Sequence, residues 1–203
     1  MRLFFAFALA FLLGQELRAQ TRTYAVKVVG IKVGEIEVRK SQKADSAFYS
    51  LTSKVDVNFL VYHLKVDYRV NSLFIRDTFE SSDVRVISNR GNYFTQTQRK
   101  GNAYLVKNEQ IDKNLSRTID QKISSSFAQL FFNEPLKTDK VYAEFYADFI
   151  GLKSIEPNSY RGELDKNIDE YHFENGLLVK MVKKNPITDM VIVYEPPSNK
   201  KAR

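Results

Sequence analysis

The stretch YAVKVVGIKVGEIEVRK, Tyr24 to Lys40, decides the fold. Tyr24, Val26 and Val28 alternate with Ala25, Lys27 and Val29, and beyond Gly30 and Gly34 the pair Ile36 and Val38 alternates with Glu35, Glu37 and Arg39. A period of two residues places alternate side chains on opposite faces of a strand, and glycines mark where the backbone turns or bulges. The stretch therefore predicts a β-hairpin with one face in a core.

Working outward, the same grammar recurs. Tyr49, Leu51, Val55, Val57 and Phe59 form one apolar row, and Leu60, Tyr62, Leu64, Val66, Tyr68 and Val70 form another in the opposite phase. The change of phase predicts a turn near residues 58–61 between two long antiparallel strands. Ser72 to Phe79 and Val84 to Ser88 predict a strand interrupted at residues 80–83, and Asn89-Arg-Gly-Asn92 and Lys100-Gly-Asn102 predict hairpin turns. Val141 to Leu152 alternates as a further strand, Asn175-Gly176 is a two-residue hairpin signal, and Met190 to Tyr194 is a final strand. Only Phe127, Leu130, Phe131 and Phe132, preceded by Ser124 to Ser126 and closed by Asn133-Glu-Pro135, carry helical spacing with a cap and a stop. The expected fold is all-β: an antiparallel meander of about ten to twelve strands curled into a barrel or half-barrel, with one short helix. Packed over one end of the sheet or barrel, that helix would act as a lid or plug through Phe127, Leu130 and Phe131.

The ends read differently. Met1 and Arg2, the apolar run Leu3 to Leu13, and a polar segment ending near Ala19 follow the three-part order of a cleavable secretory signal. Eleven apolar residues fall short of the roughly 20 that a membrane-spanning helix needs. This divides the chain into a signal peptide (1–19), a single β-rich domain (20–195) and a disordered basic tail (196–203). No cysteine occurs, so stability comes from the size of the core, and neither disulfides nor a lipid-accepting cysteine are available. The expected location is exported, periplasmic or extracellular, and soluble. A membrane barrel fits less well, because Tyr93 to Lys107 lacks an apolar lipid-facing row. The net charge of +7 is spread among acids along the strands and in the tail, which argues against nucleic acid as a partner.

Chemistry is scarce. His63 and His172 stand alone, without metal-ligand spacing, and no nucleophile elbow, phosphate loop or dinucleotide fingerprint is present. Asp77, Glu80 and Asp83 lack the order of a calcium loop, and Glu163 with Asp165 is a carboxylate pair of the kind common on surfaces. No catalytic residue, metal or cofactor is expected.

The segments YAVKVVGIKVGEIEV, FAQLFFNEP, VYAEFYADFIGLKSI and YHFENGLLVKM resemble a family of small exported proteins of unknown function typical of Bacteroidota. The shared marks are an early V-x-G-x-x-x-G-E hairpin, a central short helix and a late hairpin with Asn-Gly. The resemblance implies an all-β fold and residence in the periplasm or outside the cell, and it supplies no active-site residues. In overall shape it suggests the half-barrels of lipoprotein carriers. Asp45-Ser46-Ala47 also resembles the O-glycosylation tripeptide of that phylum, with Ser46 the acceptor.

The leading expectation is a non-enzymatic binding or carrier protein for an apolar small molecule, lipid or envelope component, with Tyr62, Tyr68, Phe145 and Phe149 lining the site. A cavity smaller than about 300 Å³ beneath the helix would remove the carrier role. The alternative is an envelope structural or assembly subunit binding a protein partner. The third is a hydrolase, which requires acids or a histidine–carboxylate pair converging in a cleft.

Overall fold

The computed structural model describes residues 18–59, 62–110, 113–186 and 188–197, apart from the side chains of Phe59, Tyr62, Gln110 and Lys113. The expected signal segment lies outside the described residues except for Arg18 and Ala19, which open the first strand. The tail from Ser198 onward lies outside them as well.

Fourteen antiparallel strands form one sheet. The first eight are β1 (Arg18–Val28), β2 (Ile31–Lys43), β3 (Ser46–Phe59), β4 (Tyr62–Ile75), β5 (Thr78–Ser88), β6 (Gly91–Lys100), β7 (Ala103–Gln110) and β8 (Lys113–Ile119). After a four-residue helix, α1 (Phe127–Leu130), come β9 (Lys140–Ala143), β10 (Asp148–Glu156), β11 (Ser159–Leu164), β12 (Asn167–Glu174), β13 (Leu177–Lys183) and β14 (Met190–Glu195). Each run is a plain meander. The two are welded by β1 against β14, with Tyr24 opposite Tyr194 and Val26 opposite Ile192, so the order across the sheet is β8 to β1, then β14 down to β9.

Strands β8 and β9 are the two edges, and no strand pairing joins them, so the sheet curls without closing. Residues 120–139 link these edges through the inside of the curl. The carbonyl of Ile123 accepts from the Phe79 N–H, its own N–H donates to the Tyr104 hydroxyl, and the Tyr142 N–H donates to the Ser125 carbonyl. Phe131 is wholly buried, edge-on to Tyr24 with ring centres 5.1 Å apart. Arg22 and Tyr24 both donate to the Phe131 carbonyl, which ties the end of α1 to the central strand. The helix is therefore a plug on the inside of the curl. Four residues cannot sustain a helix in water, and the burial of Ala128, Leu130 and Phe131 is what holds it.

The alternating rows were legible. Tyr24, Val26, Ile36, Val38, Tyr49, Leu51 and Val70 all fall in the core, and β3 pairs with β4 from Ser46 opposite Ile75 to Phe59 opposite Tyr62. Gly34 does what its position suggested. The β1–β2 register skips Val33, and a Cβ on Gly34 would press on the Lys54 carbonyl and lie 2.9 Å from Val55 Cα.

Three expectations need correction. The strands number fourteen among the described residues, not ten to twelve. The break placed at residues 80–83 lies instead at Arg76–Asp77, which both take positive φ (49° and 56°) as the middle pair of a tight hairpin turn, while 80–83 continue in β5. Val141 to Leu152 is two strands and not one: the chain turns at residues 144–147, with Ala147 at φ 54°, and β9 folds back on β10. No helix among the described residues is long and apolar enough to cross a membrane, which says nothing of strands.

Candidate functional site

Between the two halves of the sheet, α1 and the turn after β9 leave a cavity of about 280 Å³. Its floor and walls are apolar: Val26, Leu51, Val86, Met181 and Ile192 from the sheet, Phe127 and Phe131 from the plug. Leu64, Val66, Tyr146, Lys183 and Met190 also line it and are partly exposed, so it opens to solvent. The volume falls just under the roughly 300 Å³ at which sites for drug-sized ligands begin. By the measure set for it, a cavity of this size does not support the carrier role.

The expected lining residues divide. Tyr68 and Phe145 face each other across the cavity wall, edge to face, with ring centres 6.2 Å apart. Phe149 lies outside it, on β10, stacked edge-on against Tyr142 with the Lys140 ammonium 5.5 Å above its ring. Tyr62 starts β4, and its side chain lies outside the described residues. Of the expected lid, Phe127 and Phe131 line the cavity, whereas Leu130 packs in the core away from it. Ser46 is half-exposed beside the β2–β3 turn, next to Asp45, whose carboxylate accepts from Arg76 at 2.9 Å.

The polar members were missed. Glu144 is 1% exposed. Its Oε1 accepts from Ser72 Oγ at 2.8 Å and from the Ala128 N–H at 3.4 Å. Burial raises its acid range, and Ser126, Ser72 and backbone N–H groups oppose that only in part. Burial also pushes the Tyr68 phenol far above its ordinary range, with Glu144 and Tyr146 adding to the effect. At the mouth, Asp169 accepts from Lys183 at 2.8 Å and from the Tyr171 hydroxyl at 3.3 Å, so that one acid and one base are already paired. In the sequence, Glu144 falls in the outward phase of an apparently continuous strand. The only signal that could have found it is its place among Tyr142, Ala143, Phe145 and Tyr146, where a surface carboxylate has little reason to be.

His63 lies 3.3 Å from Asp56 on an exposed face, and His172 contacts Ser159 at 3.0 Å as its cross-strand neighbour. Neither histidine lines the cavity. Among the described residues no group of three or more histidine or acidic side chains could hold a metal ion.

Comparison with known proteins adds family and fold. A family model described as "Domain of unknown function (DUF6134)" matches residues 24–195. A crystal structure of a β-barrel-like protein of the domain of unknown function DUF1849 from Brucella abortus is similar in fold, with a TM-score of 0.53 and 8% identity. The similarity covers 90% of this chain and 98% of that one. The comparison with curated proteins finds no match.

Proposed function

From the premise that the chain belongs to the DUF6134 family, we propose an exported, non-enzymatic binding domain that takes up a short apolar molecule, or the end of a longer chain, in the cavity beside α1. The observation that carries this is the cavity itself, walled by aliphatic and aromatic side chains yet open at one side. Packed interiors leave few voids of such size, and apolar ones commonly accept apolar guests. Export rests on the basic, apolar and polar order of residues 1–19, and with no cysteine there is no lipid-accepting residue; the cell envelope is the setting that follows. A protein partner is the second reading. It is favoured by Val29 and Ile31, 66% and 63% exposed beside the β1–β2 turn.

The test is titration with N-phenyl-1-naphthylamine, whose fluorescence rises in apolar surroundings. The expected result is a saturable rise in the wild type, lost in Val66→Trp, which fills the cavity from a half-buried wall position. An equal rise in that variant, provided its melting temperature is retained, would place the dye elsewhere and sink the proposal.

A further inference from the structure

The cavity is apolar almost throughout, yet polar groups on one wall lack the bonds that burial ordinarily demands. Glu144 Oε2 and Ser126 Oγ are buried side by side, close enough for the hydroxyl to lower the Glu144 acid range, yet neither makes a hydrogen bond of ordinary geometry. Tyr68, half-buried and lining the cavity, makes ring contact with Phe145, and its hydroxyl makes no hydrogen bond to the described residues. Ser53, opposite Tyr68 in the β3–β4 register and 6% exposed, lines the same wall. Buried polar atoms in native proteins are almost always satisfied, by protein, water or ligand. Here Glu144, Tyr68 and Ser53 meet on a wall whose surroundings are mostly apolar.

We propose that Glu144 and Tyr68 recognise an uncharged oxygen-bearing group, such as an alcohol, a carbonyl or a protonated carboxyl, at the inner end of a short alkyl chain. This rests on the binding reading above and names its ligand class. The oxygen is neutral because, among the described residues, the one cation lining the cavity is already taken: Lys183 is held by Asp169 at 2.8 Å. Burial also favours the protonated Glu144, which then donates from Oε2 to the ligand oxygen. A pocket so arranged rejects an analogue that lacks the oxygen, because its own polar groups then stay unpaired.

The test is displacement of N-phenyl-1-naphthylamine by 1-hexanol, n-hexane and hexylamine at neutral pH, with the wild type, Glu144→Leu, Glu144→Gln and Tyr68→Phe compared after confirming that each melts cooperatively. Glu144→Leu is expected to weaken 1-hexanol by about tenfold or more while changing n-hexane by less than about threefold. Tyr68→Phe should act in the same direction. Glu144→Gln, whose amide still donates, should retain 1-hexanol to within about threefold. Equal effects of Glu144→Leu on alcohol and alkane overturn the assignment, as does no effect on either. Hexylamine binding more tightly than 1-hexanol, and lost in Glu144→Gln, overturns it in favour of a charged carboxylate recognising ammonium. If n-hexane displaces nothing from any of these proteins, the apolar-binding reading itself falls. If n-hexane binds and the oxygen brings no dependence on Glu144, only the present inference does.

Discussion

Glu144 sits 1% exposed on the cavity wall, and a carboxyl so placed makes stability depend on pH. Its folded acid range is raised above the unfolded one, so the folded state binds the proton more tightly. Its contribution is fully present below about pH 4, near the range of a free glutamic acid, and is lost as pH rises through the folded value. Glu144→Gln cannot ionise and escapes that loss. The variant should melt higher than the wild type at pH 7.5 and coincide with it near pH 4, as followed by circular dichroism; a gap of constant size across that range would contradict the argument. At this scale the sequence was informative about apolar residues and silent about polar ones. Tyr68 reached the cavity because its phase put it inward, whereas Phe145 reached it because the turn at residues 144–147 carries it there. Glu144 was hidden because a turn, not a continuous strand, carries it, and a period-2 pattern reads the same through both.

Hairpins were legible where glycine or asparagine signed them, as at Asn175-Gly176, and illegible where other residues took the same backbone. Arg76–Asp77 is the clearest case: both residues have positive φ, and the turn is held by ion pairing of Arg76 with Asp45 and by the Arg76 N–H donating to the Asp45 carbonyl. The β1–β2 turn is half-signed. Gly30 takes φ 78° at no cost, but Val29, β-branched and 66% exposed, is held at φ 50°. Asparagine tolerates that conformation, and the valine side chain buries little. Val29→Asn should therefore stabilise the protein by about 1 kcal/mol, seen as a rise in melting temperature of about 2–4 °C. A fall would mean that Val29 packs in a way its exposure does not suggest. The helix was readable from its spacing, but its place was not, because nothing local says that Arg22 and Tyr24 will grip the Phe131 carbonyl.

Across the whole molecule, alternation predicted strands and a curl, and it could not predict the order in which they pair. The seam of β1 with β14 joins residues more than 160 positions apart, and such pairings leave no mark on neighbouring sequence. The far edges approach each other through side chains instead of backbone. Thr97 Oγ1 and the Tyr142 hydroxyl lie 2.7 Å apart, Thr95 Oγ1 donates to the Phe145 carbonyl, and Arg117 donates to the Ala147 carbonyl and pairs with Asp148 at 3.2 Å. The curl thus has one hydrogen-bonded seam and one side-chain seam. Deleting β14 by ending the chain at Lys184 would bare β1 and β13 together in the middle of the sheet. Such a truncation should abolish cooperative thermal unfolding, whereas a protein lacking only residues 198–203 should melt like the full chain.

The weld of first strand to last also governs timing. A polypeptide delivered from its N-terminus can zip β1 through β8 into a ribbon early, but β1 keeps one bare flank until residues near 190 have arrived. Until then the half-made molecule offers an unclaimed strand edge to any neighbour, so a stall in delivery turns each chain into a template for the next. The final few residues of the domain act as its clasp.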